Sequence, residues 1–316
     1  MTAALPVCRA AQLGARPPEK RWLVEHLWAE RAVGIVGGQP KCCKSFLALD
    51  LAVSVASGRP CLRRFAVREP GPVLLFAAED ALHVVRERVD GICAAAAVDF
   101  ESLPLHVITA PTVRLDLASD QRRLRHTVEQ LRPRLLVLDP FVRLHRIDEN
   151  AAADVAPLLA YLRVLEREIE TAVLLVHHAR KGANHVRAGQ ALRGSSELHA
   201  WGDSNLYLRR RGDALILAVE HRAAAPIEPL AIELRGDEDA LALRIVEDHV
   251  GVEPPDPPSA TKRVEGTLGA LDKPVTRREL RAACRIRTAT LCHALNELVA
   301  DGRVIERDGR YQLPSR

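Results

Sequence analysis

The sequence predicts an α/β fold, in which helices cover both faces of a mainly parallel sheet, followed by a small helical domain that ends in a hairpin. Short apolar runs alternate with longer amphipathic segments between residues 32 and 176, which is typical of a parallel sheet buried on both faces. A proline-rich stretch at 253–259 then marks a linker. At 316 residues, the chain is long enough for one large core and a smaller domain.

The elements of the larger domain are expected in a fixed order. Strands are expected at 22–24, 32–36, 72–78, 105–108, 135–139 and 172–176, and helices from 45 and over 81–97, 120–131 and 151–170. We expect the first two strands to pair with each other. Strand-like segments at 205–209, 214–220 and 229–234 are expected to extend the sheet.

Three helices and a hairpin at the end of the chain predict a winged helix-turn-helix. The helices are expected at 262–271, at 277–283, and from Thr288 or Thr290 to about 300, and Asp308-Gly309 forms the turn of the hairpin. Thr276 and Glu279 have the spacing of a capping box at the second helix. The predicted organisation is therefore a lead-in (1–20), an α/β domain (21–250), a linker (251–260) and a winged helix-turn-helix domain (261–316).

Charge and composition narrow the class of protein. The net charge is +4, and residues 259–316 carry 12 Lys and Arg against seven Asp and Glu, which favours a polyanionic partner for the terminal domain. No apolar run approaches the roughly 20 residues of a membrane helix, so no membrane partner is expected. The beginning of the chain lacks the apolar stretch of a signal peptide, which predicts a cytoplasmic protein. Seven irregularly spaced cysteines are expected to be reduced thiols.

The segment 37–45 contains, at residues 38–45, a near match to the phosphate-binding pattern G-x-x-x-x-G-K-[ST]. Cys43 stands where the pattern has its second glycine, and cysteine is among the smallest alternatives to that residue. A strand, a loop and a helix in this order direct backbone N–H groups at phosphate. Lys44 would then reach the β- and γ-phosphates, and the hydroxyl of Ser45 would hold Mg²⁺. Lys41 adds a second cation, either in contact with phosphate or simply solvated.

Polar side chains follow three other predicted strands, at the edge where open α/β sheets bind their ligands. Asp139 is a candidate for the Walker B position that holds Mg²⁺, and Glu79 for the general base that orients the attacking water. His177 and His178 close the next strand, where a polar side chain can sense the γ-phosphate. Each also has a simpler interpretation, as a turn or helix cap for the carboxylates and as a surface pair or partial metal site for the histidines.

The order of these motifs resembles that of RecA-fold ATPases of the RepA-type replicative helicase group, over residues 20–235. The most specific elements of the resemblance are His177-His178-Ala179-Arg180-Lys181-Gly182 and Arg193-Gly194-Ser195-Ser196. The resemblance implies a RecA-like P-loop NTPase domain, ATP and Mg²⁺ as cofactors, and a homo-oligomeric ring, of which a hexamer is one form, with nucleotide between subunits. Asp148-Glu149-Asn150 also matches an acidic element of that group, although capping of the next helix explains it as well.

The resemblance assigns roles to individual residues. It makes Lys44, Glu79 and His178 catalytic, as phosphate ligand, catalytic carboxylate and sensor, and it makes Ser45 and Asp139 the metal ligands. The residues expected around the nucleotide are Gly38, Gln39, Pro40, Lys41, Cys42, Cys43, Lys44, Ser45, Phe46 and Asp139. One element departs from the group, because residues 197–203 lack the expected arginine finger. Arg193 or the run at 209–211 remain as candidates, and slow or partner-dependent turnover is expected.

Arginines in the terminal domain favour DNA as its partner. They lie around the helix-turn-helix and on the wing, at Arg277, Arg278, Arg281, Arg285, Arg287, Arg303, Arg307 and Arg310. Arginine binds phosphates and guanine edges, but residues 291–298 offer few long donors, so contacts dominated by phosphate are expected. Such domains also serve as protein-docking modules. The predicted function is an ATP-dependent, DNA-associated ATPase resembling a helicase, and the alternative is a nucleotide-switched DNA-binding regulator without helicase activity.

Overall fold

A computed structural model describes residues 5, 7–12, 14, 21–178, 196–211, 214–237, 240–246, 260–271, 273–284, 288–307 and 309–314. The chain divides into two compact units, Met1–Gly251 and Val252–Arg316. The strands of the first unit are β1 (Trp22–Val24), β2 (Trp28–Ala29), β3 (Val33–Gly38), β4 (Val73–Ala77), β5 (Leu105–Val107), β6 (Leu135–Asp139), β7 (Ala172–His178), β8 (Ser204–Arg211), β9 (Ala214–His221), β10 (Leu230–Asp237) and β11 (Ala240–Ile245). Its helices are α1 (Lys44–Ser57), α2 (Leu82–Ala96), α3 (Ala118–Leu131), α4 (Ala152–Ile169) and α5 (Ser196–Trp201).

Nine of the described strands of the first unit build one large sheet in the order β11-β10-β9-β8-β3-β7-β6-β4-β5, and β1 and β2 form a separate pair. The pairs from β8 to β5 are parallel, and β9, β10 and β11 continue the sheet antiparallel. The α/β class with a mainly parallel sheet is therefore confirmed. Because the carboxyl ends of the parallel strands share one edge, the residues after β3, β4, β6 and β7 come together there.

Alternating side chains of the sheet supply two hydrophobic cores. Val137 packs in the cluster that contains Leu47 of α1 and Val89 of α2, while Leu136 packs with helices α3 and α4 on the other face. This alternation follows from the two-residue period of a strand, and it explains why the strand sequences are apolar throughout. No helix among the described residues is long and apolar enough to cross a membrane.

Two expectations about strands in the first unit are corrected. β1 pairs with the short strand β2, and β3 instead lies at the centre of the large sheet between β7 and β8. The strand expected at 172–176 runs on to His178, so the histidine pair belongs to β7 itself. Strand β11 had no counterpart in the predicted elements.

The second unit contains α6 (Ala260–Leu271), β12 (Val275–Thr276), α7 (Arg277–Cys284), α8 (Thr288–Ala300), β13 (Ile305–Arg307) and β14 (Arg310–Gln312). Its strands form a small antiparallel sheet in the order β12-β14-β13. The capping box is present, since the Thr276 amide donates to the Glu279 carboxylate at 2.7 Å and the Glu279 amide donates to the Thr276 hydroxyl at 3.3 Å. A separate apolar core, which includes Leu280, Leu295 and Tyr311, holds the unit together.

Candidate functional site

The phosphate-loop residues connect β3 to α1 at the carboxyl edge of the sheet. Gly38 ends β3 so close to β8 that a Cβ on it would lie 2.3 Å from the carbonyl oxygen of Leu208. The Nζ of Lys44 donates to the Gln39 carbonyl at 2.7 Å. At the N-terminus of α1, the side chain of the N-cap residue Cys43 makes no capping hydrogen bond. The loop thus curls around an uncapped helix end, where backbone N–H groups favour an anion.

The remaining loop residues occupy different environments. Cys42 is buried, whereas Pro40 and Lys41 are exposed. Lys41 and Cys43 both adopt the left-handed conformation, with φ of 64° and 55°. Burial raises the pKa of the Cys43 thiol, which keeps it protonated. The position that lacks the expected glycine therefore has a backbone conformation that favours glycine.

Lys44 is a buried cation at the first turn of α1, with only 5% of its surface exposed. Burial lowers the pKa of its ammonium group, while the carboxylates of Asp139 and Glu79 act in the opposite direction. A desolvated lysine beside an uncapped helix end is suited to bind an anionic group, because phosphate would supply the countercharge.

Asp139 and Ser45 meet between β6 and α1. The Ser45 hydroxyl donates a hydrogen bond to the Asp139 carboxylate, and burial raises the pKa of that carboxyl to about 6. The desolvated carboxylate and the hydroxyl provide the oxygen ligands that Mg²⁺ prefers. The residues present therefore fit the metal ion that the sequence analysis implies for this site.

Glu79 lies just beyond β4 and forms an ion pair with Arg143, with 2.9 Å between Nε and Oε1. Arg143 follows β6 in a 3-10 turn, Phe141–Arg143. Both side chains line a cavity of about 500 Å³ together with Phe76, Pro111 and Thr112. The carboxylate expected to be the general base is thus held by a neighbouring guanidinium.

The two histidines end β7 opposite the start of the loop, with His177 in register with Gly37 and His178 with Gly38. His177 is buried, and its ring meets Phe141 edge-on with 6.1 Å between ring centroids. Burial, followed by the charge of Lys44, lowers the pKa of His178, which favours the neutral imidazole. His178 is therefore close enough to the loop for its titration to respond to Lys44.

Several sequence motifs lie elsewhere or outside the described residues. Residues 179–195, which hold Arg193 and most of the two specific elements, lie outside them, and Ser196 opens α5. Asp148 accepts hydrogen bonds from the backbone and side-chain nitrogens of Asn150, both at 2.9 Å. That geometry is a local turn ahead of α4, whose N-cap residue Ala151 makes no side-chain capping hydrogen bond.

Two arginines beside the site were missed in the sequence. Arg143 neutralises Glu79, and Arg88 of α2 donates to both oxygens of Asp80 at 2.5 and 3.2 Å. The guanidinium of Arg88 also lies 5.2 Å from the ring centroid of Phe46. The sequence does place an arginine a few residues after each strand-end acid. Which acid each arginine pairs with depends on how α2 and the 3-10 turn pack.

Some arginines of the second unit are engaged within it. Arg277 donates to the Tyr311 hydroxyl at 2.7 Å, and Arg303 pairs with Glu265 at 2.6 Å. Exposed side chains remain at Arg278, Arg281 and Arg307. Arg285 and Arg287 lie outside the described residues.

A larger cavity, of about 650 Å³, lies at the opposite edge of the sheet, where β3 and β8 begin. Among the charged side chains that line it, Asp203 pairs with both Arg163 and Arg222. These contacts hold the beginning of β8 in place, and no ligand is needed to explain them.

Comparisons with known proteins identify the family of the chain and its fold. A family model described as AAA domain matches residues 2–184, which include the phosphate loop, Glu79, Asp139 and both histidines. The chain belongs to the AAA domain family. In this AAA domain protein the phosphate-loop segment follows β3, a central parallel strand of the large sheet.

Two solved structures similar to this AAA domain protein are distant in sequence. The ATPase domain of G40P has a TM-score of 0.51 and 12% identity, covering 68% of this chain and 86% of its own. A KaiC-like protein from Pyrococcus horikoshii has a TM-score of 0.48 and 14% identity, with coverage of 71% and 93%. At such identities the first likeness shows the fold alone, and that fold is the RecA-like one.

Proposed function

We propose that the protein binds and hydrolyses ATP with Mg²⁺ at the loop of residues 38–45 and acts in association with DNA, as RepA-type replicative helicases do. The observation that carries the proposal is the hydrogen bond from Ser45 to Asp139 beside the buried ammonium group of Lys44. A hydroxyl, a carboxylate and a lysine at one helix N-terminus are the groups that nucleotide triphosphate and its metal require. Membership of the AAA domain family supports the same conclusion.

Different residues of the site would bind the phosphates and the Mg²⁺ ion. The backbone N–H groups at the start of α1 and the ammonium of Lys44 would bind the phosphates. Ser45 and Asp139 would hold Mg²⁺, which when bound neutralises charge on the phosphate oxygens. Phe46 would pack beneath the site with Arg88 over its ring.

Glu79 would act in the hydrolysis step, and His178 would transmit the loss of the γ-phosphate to the rest of the domain. Glu79 would orient the attacking water once Arg143 releases its carboxylate, because the ion pair occupies a carboxylate oxygen that the water would need. His178, favoured as a neutral imidazole, would respond to loss of the γ-phosphate through its place beside the loop.

The wider proposals concern assembly, location and DNA. We propose that residues 261–316 act as a winged helix that tethers the protein to DNA, and that the exposed Arg278, Arg281 and Arg307 contact phosphates. A homo-oligomeric ring with nucleotide between subunits is part of the same proposal, and a hexamer is one form of it. The free thiols of all seven cysteines fit the proposed cytoplasmic location.

The ion pair between Glu79 and Arg143 also favours a second candidate function. In a nucleotide-switched regulator, binding of ATP alone would change the protein's affinity for DNA, and a general base held by arginine would keep turnover low. The absence of arginine from residues 197–203 of the sequence agrees with slow hydrolysis.

ATP turnover measured alone, with single-stranded DNA and with duplex DNA tests both candidates. Stimulated turnover with strand separation supports the helicase-like function, and binding without turnover supports the regulator. Neither binding nor turnover would contradict both. Glu79→Gln is the matched control, because it keeps the size of the side chain and should bind ATP without hydrolysing it.

A further inference from the structure

The end of β8 brings an arginine to the phosphate loop from outside the loop itself. β8 runs parallel to β3, and their register places Leu208 opposite Gly38, the first residue of the loop. Gly38 approaches the Leu208 carbonyl so closely that no side chain fits between the two strands. The residues that follow Leu208 in β8 therefore run alongside the loop.

The alternation of β8 selects Arg210 from the run of three arginines. Leu206 and Leu208 pack in the core on the α1 face of the sheet, whereas Tyr207 packs in the core on the opposite face. Since side chains alternate along a strand, Arg210 continues the α1 side and Arg209 the other.

Contacts agree with this placement of Arg210. Its Nη2 donates to the carbonyl oxygen of Lys41 at 3.4 Å, in the middle of the loop. Its charge also opposes the effect of burial on the pKa of the Cys43 thiol. The guanidinium of Arg210, which belongs to the same chain as the phosphate loop, therefore lies beside that loop.

The charge of Arg210 is available for an anion. Arg88, another arginine near the loop, donates two hydrogen bonds to Asp80. Among ion pairs between described residues, Arg210 takes part in none, and its side chain is exposed. A bond of 3.4 Å to a neutral carbonyl is weak, and a phosphate oxygen would be a far stronger acceptor.

We propose that Arg210 binds the polyphosphate of the nucleotide in cis, leaving the Lys41 carbonyl for the phosphate oxygens. The proposal rests on the proposed ATP site and adds to it a cation from the same subunit. It differs from an arginine finger, which a neighbouring subunit would supply to the loop. The ligand class is a nucleoside di- or triphosphate.

The test is the affinity of the full-length protein for fluorescent ATP and ADP analogues in Arg210→Ala, Arg210→Lys and Arg210→Gln. We expect Arg210→Ala to weaken binding about tenfold or more, because a charge-assisted hydrogen bond to phosphate is lost. Arg210→Lys should recover part of the affinity. Arg210→Gln keeps a polar amide donor but carries no charge, so it should bind as weakly as Arg210→Ala.

Controls separate this inference from the proposed site. Arg167→Ala removes an exposed arginine at the opposite edge of the sheet and should bind nucleotide like the unmodified protein. Recovery of affinity in Arg210→Gln would assign Arg210 a purely structural contact with the loop and overturn the inference, as would wild-type affinity in Arg210→Ala. If the unmodified protein binds no nucleotide, or Lys44→Ala binds as well as it does, the proposed ATP site itself fails.

Discussion

Cys43 shows at the scale of one residue how a loop can depart from its pattern. The residue has φ of 55° and ψ of 28° at the N-cap of α1. A left-handed backbone costs a residue with a Cβ about 1–2 kcal/mol, which is why glycine is common in such loops. The sequence alone predicted which residue departs from the pattern. It could not predict the cost, because the cost depends on the dihedral angles.

We expect Cys43→Gly to change the free energy of unfolding by less than about 1 kcal/mol, because relief of the left-handed backbone is offset by greater unfolded-state entropy. ATP affinity should stay within about threefold, which is under 1 kcal/mol. Cys43→Val should cost about 2 kcal/mol, since a branched side chain is strained at positive φ. Denaturant unfolding followed by tryptophan fluorescence measures the stability of both variants. Equal stability of the two variants would contradict this account of the loop.

At the scale of elements, the order of the strands along the chain was predictable from the sequence. Which strands pair with each other in the sheet was only partly predictable. Apolar runs mark β4, β6 and β7 because both faces of each are buried. β3 pairs with β8, which is far from it in the chain, and the sequence of neither strand indicates this pairing. β2 has two residues, too few for a pattern, and the alanines at 240 and 242 make β11 a poor strand by propensity.

Gly34 tests the close packing of β3 against β8. A Cβ at this position would lie 1.7 Å from the carbonyl oxygen of Ser204, so the strands would have to separate. We expect Gly34→Ala to destabilise the first unit by about 3 kcal/mol or more. Thermal unfolding followed by circular dichroism measures the change.

A matched glycine in α6 should respond in the opposite direction. A Cβ at Gly266 meets nothing within 4 Å, and alanine is the better helix former by about 1 kcal/mol. Gly266→Ala should therefore stabilise the second unit slightly. If Gly34→Ala were as harmless as Gly266→Ala, the close contact of β3 with β8 would be wrong.

At the scale of the whole molecule, the sequence predicts those residues of the site that lie at the ends of the parallel strands. Lys44, Ser45, Asp139 and His178 converge because β3, β6 and β7 are parallel neighbours, as the sequence suggested. The pairing of Glu79 with Arg143 and of Arg210 with the loop was beyond sequence reasoning, since it depends on side-chain packing between distant segments.

The second unit should carry the electrostatic part of DNA binding. Replacing Arg278, Arg281 and Arg307 with alanine in the full chain removes three exposed charges. The slope of log affinity against log salt should become shallower by about 0.9 for each lost contact with a duplex phosphate. Alanine at Arg86, Arg123 and Arg125, exposed arginines of the first unit that pair with acids, provides the control. An unchanged slope in the first variant would identify the second unit as a docking module for protein.

The most direct test of ATP binding is the titration of a fluorescent ATP analogue into the unmodified protein and into Lys44→Ala, with Mg²⁺ and with the metal chelated. We predict saturable binding that depends on Mg²⁺, and a loss of about 100-fold or more in Lys44→Ala, whose circular dichroism should match that of the unmodified protein. Equal binding by both proteins, or no binding by the unmodified protein, would contradict the assignment of this loop as a nucleotide site.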